Sequence, residues 1–330
     1  MRRLEAGSLV RHRTLGTGKV VAVEATALHV FFPGSDTRFA AKLRWPAAGA
    51  FLSVDAPEPD PSLEALDSFA MDATSGRYAL AAGFVGQDEA VSAFLAEHPA
   101  AFLVVDGPAK GAPRNDRRER WRAASALWAK TLGGGQAAAL LEDGEHAELA
   151  RRALRVAGPA LAVHGMMEPE TLAEAFQPGP EIRDFLHALV GYLAVPLPAR
   201  ARFDKLCAAV RALGTPPDAA WPLVTFFPFV ASPARHVLLL PRSACAAAAR
   251  LGCDLRFEAT PNWATYVRLR DLSSRLLEKL APSGARDHVD VESFLHATGT
   301  RRTATTARRA AISTTTHAPK ARRAAPRRAR

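Results

Sequence analysis

Several of the features that usually betray a function are missing or scarce. The 330 residues include only three cysteines, Cys207, Cys245 and Cys253, an odd number without Cys-x-x-Cys spacing. That argues against a disulfide framework and a four-thiolate zinc site, and for reduced, buried thiols in a cytoplasmic protein. No apolar run approaches the roughly 18 residues needed to cross a bilayer, so no membrane association is expected. The basic start "MRRLEAGSLVRHR" lacks the apolar stretch of a secretory leader. There is no Gly-x-Ser-x-Gly elbow for a serine nucleophile. Aromatics make up only 7% of a chain that is 48% hydrophobic, so alanine and leucine fill much of the expected core.

Acid is missing in one place above all. From Thr300 to Arg330 there are nine arginines, one lysine and no carboxylate. The net charge of +10 therefore sits in the last tenth of the chain, and the remainder balances 33 basic against 33 acidic residues. This tail has almost no large apolar side chain and is expected to be disordered when free.

What is present begins with four short runs, 8–13, 19–24, 27–32 and 36–41, that read as strands bounded by Gly, Pro, Ser or Asp. Gly16 and Gly18 stand where positive φ or a bulge is wanted. "DAPEPDPS", Asp55 to Ser62, reads as an extended linker. From Leu63 the texture turns helical. Apolar residues recur at three- and four-residue spacing in 88–98, 115–134, 146–158, 180–194 and 200–214. "HVLLLP", His236 to Pro241, reads as a strand or buried segment. Ser243 is the expected cap of the helix after it and Asn262 that of the next. Trp263 and Tyr266 at helical spacing read as core, and a last helix is expected from Asp290 to Gly299. The expected architecture is α+β: a small barrel over 1–54, a linker over 55–62, a helical body over 63–299 with a sub-boundary near 215–221, and a tail over 300–330.

The pattern Gly7, Val10, His12, Gly16, Gly18, Val20, continued by "ALHVFFPGSDTRFAAKL", resembles the Tudor-like (SH3-like) small barrel at the C-terminal end of UvrD/PcrA-type helicases and related barrels of bacterial transcription-coupling proteins. Leu15 stands where that family more often has an aromatic. The resemblance implies a module that docks on RNA polymerase or a repair or helicase complex, or that contacts nucleic acid. The region from Trp221 to Thr298 resembles part of an uncharacterised bacterial helical family, which implies no activity.

Two basic groups then point to nucleic acid, DNA or RNA, bound without sequence preference. Arg11, Arg13, Lys19, Arg38 and Lys42 give the barrel a basic complexion. Arg301, Arg302, Arg308, Arg309, Lys320, Arg322, Arg323, Arg327, Arg328 and Arg330 make the tail a flexible polycation, similar to linker-histone tails, suited to phosphate. The expected protein is a non-enzymatic accessory factor without cofactor or metal, located in the cytoplasm and at the nucleoid if the tail engages DNA.

Rival readings are few. "GTGK" is no phosphate loop, because Arg13 and Val20 stand where glycine and Ser/Thr are required. Asp287, His288, Asp290, Glu292 and His296 could hold a divalent ion for a nuclease-type enzyme. Asp287 or Asp290 equally suits a helix cap. Asp106 and Lys110 resemble a nuclease's acid–lysine pair without its second acid. Cys245 with His236 or His288 lacks support as a nucleophile. The third reading is a pure protein-interaction module.

Overall fold

The computed structural model describes residues 4–33, 38–53, 59–80, 83–99, 101–102, 116–161, 166–195 and 197–301. It is an α+β chain. Strands β1 (Leu9–His12), β2 (Gly16–Val23), β3 (Ala27–Phe31), β4 (Ala41–Arg44) and β5 (Leu52–Ser53) form one antiparallel sheet in the order β4-β3-β2-β1-β5. The sheet curls into a half-barrel whose two edges, β4 and β5, are not paired to each other. Its concave face buries Val10, Val20, Leu28, Val30, Phe32 and Leu52, the every-second-residue set that a pleated strand turns to one side.

Two residues of the opening motif explain the tight turn between β1 and β2. His12 Nδ1 accepts from the backbone N–H groups of Thr14 and Leu15, both at 3.3 Å. Gly16 follows with φ +76°, which a residue with a Cβ rarely adopts. Gly18 is needed for a different reason: a Cβ there would lie 2.5 Å from the Phe32 ring and 2.8 Å from Val30. The bulge falls later, between Val20 and Ala22.

The fourth strand is displaced from its expected place. Residues 34–37 lie outside the described set, and β4 runs from Ala41 to Arg44. The preceding residues pair elsewhere: Ala40 N–H donates to Tyr78 O at 2.8 Å and Leu80 N–H to Arg38 O at 3.0 Å. Their partner is a hairpin of β6 (Phe69–Asp72) and β7 (Arg77–Leu80), in a stretch read as helical. Its turn is built by Asp72, whose carboxylate accepts from the backbone N–H and hydroxyl of Ser75, both at 2.8 Å. Outside the described residues lie 54, the last residue of the expected barrel, and 55–58 of the expected linker. A short helix, α1 (Pro61–Glu64), begins within its last part.

The hairpin and α1 cover the convex face of the half-barrel. Phe31, Ala40, Leu63, Leu66 and Leu80 form a small second core, with Leu9, Val21, Phe69, Tyr78 and Phe84 against it.

The body follows as α2 (Gln87–Glu97), α3 (Asp116–Thr131), α4 (Gln136–Glu142), α5 (His146–Leu161), α6 (Pro169–Ala175), α7 (Pro180–Leu193), α8 (Arg200–Ala212), α9 (Pro217–Ala231), α10 (Pro241–Arg250), α11 (Trp263–Leu280) and α12 (His288–Thr300). Helix α9 is apolar on every side and buried from Trp221 to Val230, as the central helix of a layered core must be. Phe203 and Leu206 of α8 and Trp221 and Phe226 of α9 belong to the same core. The segment from Val237 to Leu240 is buried without strand pairing; Leu239 N–H donates to Thr225 Oγ1 at 3.1 Å.

Helix ends test the capping expectations. Asn262 caps α11 as expected, accepting from Thr265 N–H at 2.9 Å. Ser243 does not cap α10. That helix starts at Pro241, whose fixed φ and absent N–H suit a first turn, and the Ser243 hydroxyl sits inside it, 3.4 Å from Leu240 O. Helix α12 starts two residues before Asp290, with Asp287 as its cap, accepting from Val289 N–H at 2.9 Å. Gly299 does not end it. It lies inside α12 where the helix presses on α10, a Cβ being only 2.3 Å from Ser243 O.

Candidate nucleic-acid interface

Pairing of β5 with β1 sets Arg11 opposite Ser53 and His12 opposite Leu52. Strand alternation turns Val10 into the barrel core and leaves Arg11 and Arg13 exposed. Phe51, just before the two-residue strand β5, is 57% exposed. Together these residues border a shallow groove of 310 Å³, lined by Arg11, His12, Arg13, Ala50, Phe51, Leu52 and Ser53. Among the described residues it offers two guanidinium groups, one aromatic face and no carboxylate. Among the described residues neither Arg11 nor Arg13 has an ion pair.

His12 adds a donor. Because its Nδ1 accepts from two backbone N–H groups, the neutral ring carries its hydrogen on Nε2. The ring itself is braced edge-on against Phe32 at 5.7 Å between centroids.

The basic residues singled out in the sequence do not form one patch. Lys19 is buried, and its ammonium donates to Glu64 O and, at 2.8 Å, to Leu66 O. It therefore clamps β2 to the end of α1, and burial pulls its pKa below the usual lysine range. Arg38 is half-buried and donates to Leu80 O at 2.9 Å, with its guanidinium 4.9 Å from the Phe39 ring centre. Lys42 is exposed on β4, the opposite edge of the sheet, with Glu24 at 4.0 Å. Arg301 is the one tail residue of that set among the described residues: its guanidinium meets Glu97, and its carbonyl accepts from Arg250. Arg302, Arg308, Arg309, Lys320, Arg322, Arg323, Arg327, Arg328 and Arg330 lie outside the described residues.

The acidic cluster near the end of the body has a structural employment. Arg117 donates to both carboxylate oxygens of Glu292, at 3.0 and 3.1 Å through Nε, and the Trp121 indole N–H adds a bond of 2.7 Å. Arg118 reaches Asp290 at 2.5 Å; Arg122 pairs with Asp287 and, at 3.1 Å, with Asp290. Helix α3 is thereby tied to α12, with Asp287 also serving as cap. His288 is buried, its Nδ1 3.1 Å from His236 O. Among the described residues no three His, Cys, Asp or Glu side chains converge as a metal site. Asp106 and Lys110 fall outside the described residues.

The cysteine reading fares similarly. Burial pushes the Cys245 thiol upward and pulls the His236 imidazole down to about 3, the opposite of what a thiolate–imidazolium pair needs. Tyr266 is buried and stacks on Phe203 at 4.6 Å, and Trp263 packs on the same ring, so both belong to the core.

Sequence reasoning passed over Phe51. Its signal is weak: one aromatic between an alanine-rich turn and a two-residue strand, with no periodicity to mark it as surface. The chain matches no protein-family model, no curated protein and no solved structure.

Proposed function

We propose that this protein is a non-enzymatic, nucleic-acid-associated accessory factor whose N-terminal half-barrel, of the Tudor-like (SH3-like) kind, engages nucleic acid at the β1–β5 groove. One observation carries the reading: exposed Phe51 lines the same groove as Arg11 and Arg13, and among the described residues neither arginine has an ion pair and no carboxylate lines the groove. Guanidinium groups bind phosphate oxygens in bidentate fashion, and an aromatic face stacks on a base without regard to its identity. His12 Nε2–H supplies a further donor beside them. The arginine-rich tail adds a second contact to the same polymer. Two weak attachments on one chain reinforce each other through effective concentration. A DNA- or RNA-bound machine such as RNA polymerase or a repair complex is the setting in which such a factor would act.

The test is a salt titration of binding to fluorescent duplex and single-stranded DNA. It compares the full chain, the chain ending at Arg301, and the full chain carrying Arg11→Ala and Arg13→Ala. The nine cations beyond Arg301 correspond to a loss of about 8 in the slope of log affinity against log salt on duplex. The groove substitutions should remove about two further contacts and weaken single-strand binding at fixed salt. Binding that is indifferent to both changes would overturn the proposal.

A further inference from the structure

Helices α5 and α7 bring two imidazoles to one point on the surface of the body. His146 is the first residue of α5 and half-buried; His187 lies midway along α7 and is exposed. Their Nε2 atoms are 3.4 Å apart, with ring centres 5.4 Å apart and planes inclined at 47°. A shared hydrogen bond would draw two nitrogens to about 3.0 Å. At 3.4 Å the contact is at the long end of what a hydrogen bond spans, and it matches a second geometry as well. Two bonds of about 2.05 Å meeting at the tetrahedral angle span about 3.3–3.4 Å between ligand nitrogens.

Both elements are held in place independently of any ion. The turn between α4 and α5 is closed by Glu145 N–H donating to Leu140 O at 2.8 Å, and α7 packs against both α4 and α5. Ile182, Phe185, Leu186 and Leu189 of α7 are buried in the main core, so the backbone carrying His187 is anchored. Glu142, Asp143 and Glu145 are exposed on the turn beside His146, and both Arg183 and Asp184 are exposed one turn before His187.

Other imidazoles have different employment. His12 closes the β1–β2 turn, His29 bonds Glu24 at 3.0 Å on the outer face of the sheet under Tyr78, and His236 and His288 bond within the core.

We infer that His146 and His187 form a two-nitrogen site for a divalent ion of the zinc, nickel or copper class, which prefers neutral imidazole. No third His, Cys, Asp or Glu side chain completes the pair among the described residues. Water or an external ligand fills the remaining positions, and the ion is exchangeable. Bound there, it staples the start of α5 to the middle of α7.

The experiment uses the full chain, stripped with chelator, titrated with Zn2+ by calorimetry and followed by thermal unfolding. The expected result is one saturable ion per chain at micromolar concentration and a rise in Tm. His146→Ala and His187→Ala should each weaken binding tenfold or more and abolish the Tm rise. His187 is exposed and His146 half-buried at a helix start, so circular dichroism should show an unchanged fold. Cu2+ provides an independent readout: electron paramagnetic resonance should count two imidazole nitrogens in the native chain and one in either variant. Equal Zn2+ affinity in the doubly substituted chain would place the ion elsewhere and overturn the inference. So would the lack of saturable uptake up to millimolar Zn2+.

Discussion

Glu292 and Arg117, 175 residues apart in the chain, face each other with both carboxylate oxygens engaged by one guanidinium. The Trp121 indole donates to the same carboxylate, and both residues of the ion pair are largely buried. Removing one member of such an arrangement strands its partners in a low-dielectric interior. Glu292→Ala is expected to cost about 3–5 kcal/mol of stability, the range for breaking a buried pair from one side. Glu292→Gln, which keeps an acceptor for Trp121, should cost less. Urea unfolding of the three proteins measures both; a loss within the error of the method for Glu292→Ala would refute the account.

Gly299 sets two effects against each other. Alanine is favoured over glycine inside a helix by about 1 kcal/mol. Here its methyl would meet Ser243 O at 2.3 Å and Ala247 N at 3.2 Å, both backbone atoms that cannot swing aside. Overpacking of this kind costs about 1–3 kcal/mol. Gly299→Ala should therefore destabilise the protein, and a raised Tm would show that α10 and α12 can part without penalty.

Lys19 and Phe51 should behave as opposites. Lys19→Met leaves the carbonyls of Glu64 and Leu66 without their donor, at a cost of about 1–3 kcal/mol, while nucleic-acid affinity stays as it was. Phe51→Ala, at a site 57% exposed, should leave stability within about 0.5 kcal/mol. It should weaken binding of oligo-thymidine by about 1–3 kcal/mol, the worth of one stacked base. Unfolding curves and fluorescence titrations on the same samples separate the two; loss of DNA binding in Lys19→Met at unchanged stability would contradict the placement.

Acid should destabilise the body before its carboxylates titrate. Burial first, then the nearby Arg235, His288 and Arg270, pulls His236 from 6.5 to about 3, and burial lowers His288 as well. The unfolded chain therefore takes up protons below pH 6.5 that the folded chain refuses. The contribution of His236 to stability is complete above 6.5 and is lost as pH falls toward 3, at about 1.4 kcal/mol per unit. Unfolding free energies should fall little from pH 7 to 6 and approach that slope from 6 to 5. A flat profile would mean that His236 protonates in the native state.

The elements that were legible in the sequence are those whose chemistry is local. Asn262 was readable because a cap needs only its own side chain and an amide three residues on. The helices over 146–161 and 200–212 were readable because one apolar stripe sufficed. The β6–β7 hairpin was not, since four-residue strands around "DATSG" are shorter than the window in which helical texture is judged. Its pairing with Arg38–Ala40 is a long-range event that also moved β4 from its expected place. Gly299 looked like a stop because glycine usually is one; only the neighbouring helix reveals a crossing point. At the candidate interface, Arg11 and Arg13 were legible as cations. That Lys19 is buried and Phe51 is exposed depended on which face of the sheet α1 and the hairpin would cover.

That cover has a directional consequence. With Phe31 and Val21 roofed by Leu63, Leu66, Phe69 and Leu80, the half-barrel has surrendered its broad outer wall to its own chain. What the roof leaves uncovered are the sheet's two edges, β4 and the rim where β1 meets β5. The same roof makes Leu63 to Leu80 part of the small module's housing, so a cut at the proline-rich stretch would leave that wall wet and sticky.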